Sequence, residues 1–138
     1  MSTIRRVCVD HLTLPVADLE ASQAFYSAVL AALEFNEERV EGLPTWGPPG
    51  AEDFSIAPGA PPPDGMHLAF LAETREQVAA FHAAGLAAGG RDNGEPGPRP
   101  KYHEGYYAAF LLDPDGNNVE AVLHERPHEP EPPLVSPA

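Results

Sequence analysis

Apolar and polar residues alternate with period two over much of this chain, and two stretches with helical spacing interrupt the alternation. Residues 4–14, Ile-Arg-Arg-Val-Cys-Val-Asp-His-Leu-Thr-Leu, are rich in β-branched and apolar side chains and read as a strand that Pro15 ends. The period puts Val7, Val9, His11 and Thr13 on one face and Cys8, Leu12 and Leu14 on the other. Asp18 is a good N-cap, and from Leu19 to Leu33 the residues Phe25, Tyr26, Val29, Leu30 and Leu33 follow helical spacing. Residues 34–57 read as short strands, with turns at Gly42, at Pro48-Pro49-Gly50 and at Pro58-Gly59.

The proline-rich connection over residues 60–65 is the best internal boundary, dividing the chain into modules 1–60 and 61–125. A second strand over residues 66–72 leads to Thr74-Arg-Glu-Gln77, which has the form of a capping box. The helix it starts carries Val78, Phe81 and Leu86 and ends at Gly89-Gly90. Residues 90–105, dense in proline and glycine, read as a long irregular loop of the kind that often serves as a lid. The tail, residues 126–138, has too little apolar content to pack and is expected to be disordered or peripheral.

Between these segments lies the stretch 113–121, Asp-Pro-Asp-Gly-Asn-Asn-Val-Glu-Ala. Pro114 presets φ for a type I turn, Asp113 bonds back into it, and Gly116 supplies the left-handed residue that closes it. A three-residue hairpin loop of this kind fixes the register: Asp113 opposite Asn117, Phe110 opposite Glu120, Ala108 opposite Val122 and Tyr106 opposite His124. Glu120 then shares a face with Phe110, Ala108 and Tyr106. A carboxylate in such company is costly unless something pairs with it. The alternative is an exposed glutamate on an edge strand.

At 138 residues the chain is long enough to bury a real interior. Its net charge of −13, with only eight Lys and Arg, argues against nucleic acid as a partner. The basic grouping of Arg91, Arg99 and Lys101 reads either as a solvated loop or as a rim that attracts anions. One cysteine, Cys8, excludes an intrachain disulfide and a Cys-rich zinc site and is expected to be a small core residue. No signal-peptide core or membrane-length apolar run is present, so a soluble, cytoplasmic protein is expected, with no membrane partner.

A shift of 56 residues superposes the first strand and helix on the second, matching His11 with His67, Leu12 with Leu68, Phe25 with Phe81 and Leu30 with Leu86. Two strand histidines at equivalent positions, with Glu120 at the corresponding end of the second module, favour a ligand role over a structural one. Among the other histidines, His82 reads as exposed helix surface, and His124 and His128 belong to the strand end and the tail. Tyr102-His103-Glu104-Gly105-Tyr106-Tyr107 crowds polar aromatics where the loop enters the strand that points at Glu120. His103 reads either as turn packing or as a substrate contact.

With Asp10-His11-Leu12, Asp18-Leu19, Phe25-Tyr26, Met66-His67-Leu68 and Asp113-Pro-Asp-Gly-Asn-Asn-Val-Glu120 assembled, residues 4–125 resemble the vicinal oxygen chelate superfamily. That group includes glyoxalase I, fosfomycin- and bleomycin-resistance proteins and extradiol dioxygenases. The resemblance implies an α+β fold of two βαβββ modules whose curled mixed sheets form a cup around a divalent metal (Fe, Mn, Ni or Zn). It implies His11, His67 and Glu120 as metal ligands and a homodimer, with the ligands drawn either from one chain or, as is frequent in short members of the group, from two. Glu120, His103 and Tyr106 are then the catalytic candidates, and Tyr102, Tyr107, Arg99, Lys101 and Phe110 the substrate-binding ones.

Glyoxalase I has a fourth ligand late in the first module. Anchoring the repeat on Gly50 and Gly116 puts Phe54 opposite Glu120, leaves Asp53 with the wrong strand parity, and would need a different register for Glu52. The expected function is a metal-dependent enzyme with lyase, isomerase or dioxygenase chemistry on a small substrate bearing two adjacent oxygens. The alternative is a binding protein that sequesters a ligand without turnover.

Overall fold

The structure, a computed structural model, describes residues 7–125. The expectations for the start of the chain and for the tail, His128 included, lie outside the described residues. Two βαβββ units follow one another. The first comprises β1 (Leu12–Val16), α1 (Leu19–Ala32), β2 (Glu38–Val40), β3 (Leu43–Trp46) and β4 (Phe54–Pro58). The second comprises β5 (His67–Leu71), α2 (Arg75–Ala87), β6 (Arg91–Pro98), β7 (Tyr106–Leu112) and β8 (Asn118–His124). Their mixed four-stranded sheets have the matching orders β1-β4-β3-β2 and β5-β8-β7-β6, and neither closes into a barrel.

Local chemistry sets the boundaries. The Asp18 side chain accepts from the Ala21 amide and Thr74 from the Gln77 amide, so each helix has a side-chain N-cap. Gln77 reaches back to the Glu73 amide at 2.7 Å, completing a reciprocal cap. Glu41 and Gly42, both at positive φ, form the tight turn that joins β2 to β3.

One face of each sheet packs on the helices in a single core built on Leu14, Val16, Trp46, Phe54 and Ile56 from the first unit and Val78, Ala109, Leu111, Val119 and Ala121 from the second. The helices pack on each other across the units, and Gly85 permits the close approach of α2 to β7: a Cβ there would stand 2.2 Å from Leu111 Cδ1. Both sheets therefore present their other faces away from this core.

Several expectations change. Pro15 does not end the first strand but sits within it, opposite Ala57; β1 is an edge strand, where a missing N–H is tolerated. Residues 91–98 form an edge strand and not an irregular loop, its pairing with β7 shifted twice around Gly94. Arg91 thus begins β6, apart from Arg99 and Lys101. His82 is buried, its Nε2 2.9 Å from Asp92 Oδ1. Cys8 is exposed, and so is Leu86, because Gly85 takes the inward position on α2.

Candidate functional site

The hairpin between β7 and β8 begins at Asp113, which is 2% exposed. Its carboxylate accepts from the Asp115 and Asn117 amides at 2.9 Å, from Asn117 Nδ2 at 2.8 Å and from the Tyr26 hydroxyl at 2.5 Å. Asp113 therefore closes its own turn and ties it to α1 of the first unit. Burial, followed by the neighbouring Asp113 charge, holds the Tyr26 phenol well above its ordinary range, so it stays a donor.

Beyond this turn the register is Phe110 opposite Glu120, Ala108 opposite Val122 and Tyr106 opposite His124. Period two directs Glu120 away from the helix-covered core, into a second apolar cluster of Ala108, Phe110 and Val122 with Tyr106 against it. Glu120 is 1% exposed. In the parallel direction β8 pairs with the edge strand β5, which brings His67 onto the same face, its Nε2 2.7 Å from Glu120 Oε1. The Tyr106 hydroxyl donates to the other carboxylate oxygen. Burial, and then the hydrogen bond to Glu120, push the Tyr106 phenol upward, so it keeps its proton at neutral pH.

The aromatic crowd gathers around Tyr106. The Tyr102 ring lies 4.8 Å from it and the His103 ring 5.2 Å, edge-on. His103 Nε2 meets His124 Nδ1 at 2.9 Å, and its Nδ1 meets the Glu104 carbonyl at 2.7 Å. Arg99 lies over the Phe110 ring and Lys101 over Tyr102. Tyr107 stands apart: one residue out of phase with Tyr106, it faces the opposite side of the sheet, beneath the Arg75 guanidinium, which is itself paired with Glu125. Tyr107, expected to bind substrate, therefore does not share the Glu120 face.

In the first unit His11 precedes β1, with its ring 70% exposed and Nδ1 2.9 Å from Asp10 Oδ2. The pairing Leu12↔Phe54 corresponds to Leu68↔Val119, so the residue equivalent to Glu120 is Ser55 and not Phe54. Ser55 Oγ bonds Thr13 Oγ1 at 2.8 Å. By the same alternation Asp53 belongs to the face of Ser55, which reverses the parity inferred from Gly50; the turn before β4 is one residue longer than the turn before β8.

His67, Glu120, Tyr106, Phe110, Tyr102, His103, Arg99 and Lys101 thus gather on one face of the second sheet, and His11 does not join them. One imidazole and one carboxylate suit a first-row divalent ion. Among the described residues, however, no three His, Cys, Asp or Glu side chains stand close enough within one chain to hold one. Two residues of this face escaped the sequence reading: Asn118, whose parity with Glu120 was readable, and Asn93, whose Nδ2 donates to Asn118 Oδ1 but which was assigned to a loop.

Comparison with known proteins places this fold in a family. The model of the Glyoxalase/Bleomycin resistance protein/Dioxygenase superfamily matches residues 9–121. A glyoxalase/bleomycin resistance protein from Albidiferax ferrireducens is 37% identical, covering 83% of this chain and 97% of its own, with a TM-score of 0.73. A family enzyme from Burkholderia phytofirmans is similar in fold at 21% identity, with 84% and 98% covered and a TM-score of 0.64. A lactoylglutathione lyase from Agrobacterium tumefaciens shares the fold at 19% identity, with 86% and 94% covered and a TM-score of 0.59. A search of curated proteins returns no match.

Proposed function

Because the chain belongs to the Glyoxalase/Bleomycin resistance protein/Dioxygenase superfamily, we propose that it is a metal-dependent enzyme acting on a small substrate that offers two adjacent oxygens to a divalent ion. His67 and Glu120 of one subunit would hold the ion, and His11 of a second copy would complete the set. The observation that carries this reading is the buried Glu120 carboxylate, with an imidazole nitrogen at 2.7 Å and a phenol on its second oxygen. A carboxylate enclosed by Phe110, Ala108 and Val122 is costly unless a positive group sits with it. A divalent cation held between a neutral His67 and Glu120 would supply that charge.

His11 suits the third position. With Nδ1 donating to Asp10, its Nε2 lone pair is left outward, the arrangement in which a carboxylate fixes the tautomer of a ligating histidine. The open face beside it carries Thr13 and Ser55 and is where a second copy would pack. Ser55 in place of a second carboxylate leaves three protein donors and open positions for substrate. For that reason the four-ligand chemistry of glyoxalase I is not assigned to this chain.

When bound, the ion supplies Lewis acidity that stabilises negative charge developing on substrate oxygen. Tyr106 retains its proton and fixes the orientation of Glu120, whose carboxylate is the proton acceptor of the site. His103 and His124 brace the Tyr106 ring from behind. Phe110 forms the apolar floor against which the substrate body lies.

Reconstitution tests the reading. Protein purified without chelator and loaded separately with iron, manganese, nickel or zinc should retain stoichiometric metal, and light scattering should show the metal-loaded form to be a dimer. Failure to retain any of the four ions would remove the enzyme reading and leave a ligand-sequestering protein.

A further inference from the structure

Among the described residues, two cations on the Glu120 face have no carboxylate partner. Arg99 donates only to backbone carbonyls, to Glu95 at 2.7 Å and to Pro98 at 3.3 Å. Lys101 lies 5.1 Å over the Tyr102 ring. Among the described residues neither has a carboxylate partner, although the chain carries 21 Asp and Glu against 8 Lys and Arg. An unpaired arginine and lysine side by side in so acidic a chain call for an anion from outside.

They line one polar pocket of about 260 Å³, together with Asn93, Asn118, Tyr102 and Phe110. Its floor is the Phe110 ring, 5.4 Å from the Arg99 guanidinium carbon. Phe110 is the direct cross-strand partner of Glu120, and Asn118 lies two residues before Glu120 on the same strand face. The pocket therefore begins at the residue directly across the strands from Glu120. Because Asn93 donates to Asn118 Oδ1, the amide nitrogen of Asn118 is left to donate to a guest.

We infer that this pocket binds a carboxylate of the substrate, which is therefore a small oxo or hydroxy acid with a second, distal carboxylate. This rests on the proposed metal reading for the chelated end and is independent of it for the distal end. A planar guanidinium grips a carboxylate through two parallel N–H bonds, the lysine adds a point charge, and the Phe110 ring accommodates a short methylene chain between the two ends. The pocket volume of about 260 Å³ is ample for one such group and a few carbons.

Two arms test the inference. In manganese-loaded protein, 2-oxoglutarate should bind at least about tenfold more tightly than 2-oxopentanoate, which has a methyl group in place of the distal carboxylate, as expected for a charge-assisted contact. That preference should vanish in Arg99→Gln/Lys101→Gln. In metal-free protein, malonate should shift the side-chain amide resonances of Asn93 and Asn118 saturably, and the double variant should abolish the effect. Equal affinities for the two acids, a preference that survives the double variant, or malonate shifts indifferent to it would overturn the inference. Protein that binds no metal but passes the malonate arm would retain the anion pocket and lose the metal reading; the converse outcome would do the opposite.

Discussion

Glu120→Gln should abolish useful metal affinity while leaving the protein folded. The amide has nearly the same shape, keeps one oxygen to accept from Tyr106, and remains inside the Ala108, Phe110 and Val122 cluster. What it lacks is the negative charge, and a neutral amide oxygen is a poor ligand for a hard or borderline cation. Loss of an outer partner alone costs a metal site roughly 10- to 100-fold in affinity, so loss of a direct ligand should cost at least that. Competition against a chromophoric chelator gives the affinity, and thermal unfolding in excess chelator reports on the fold. Wild-type affinity in the variant would remove Glu120 from the ligand set.

Asp113→Ala should be the most destabilising single change in the hairpin, by about 3–5 kcal/mol if two of its buried donors stay unpaired at about 1–3 kcal/mol each. Four donors lose their acceptor at once: the Tyr26 hydroxyl, two turn amides and the Asn117 side chain. Tyr26 is fully buried and cannot turn to water. Tyr26→Phe removes one of the four bonds and should cost about 1–2 kcal/mol. Urea denaturation of the metal-free proteins separates the two variants. Because the turn sets the register that aims Glu120, Asp113→Ala should also weaken metal binding, and Tyr26→Phe should do so far less. Equal and small losses in both variants would show the turn to be held by Pro114 and Gly116 alone.

The hairpin was legible because its information is local. Asp113, Pro114 and Gly116 specify one turn type, the turn specifies a register, and the observed pairing of Phe110 with Glu120 follows. The match of His11 with His67 was equally readable, since the two units share strand order and helix placement. Features set by distant partners were not readable. His82 is buried because Asp92 on the neighbouring strand receives it, which nothing in its own helix announces. The strand Arg91–Pro98 hides behind Gly94, Pro96 and Gly97, residues that an edge strand with shifted pairing tolerates and an inner strand would not. The equivalence of Ser55 with Glu120 was missed because an extra residue in the turn before β4 moved the count by one.

If His11 completes a metal site begun by His67 and Glu120 of another subunit, mixed dimers should restore that site. His11→Ala and Glu120→Ala proteins, each unable to hold metal alone, are unfolded together, refolded as a mixture and titrated with manganese. A hybrid dimer pairs the intact His11 of one chain with the intact His67 and Glu120 of the other, so part of the wild-type binding capacity should return. A mixture as empty as its parents, or full affinity in His11→Ala by itself, would contradict a site shared between subunits.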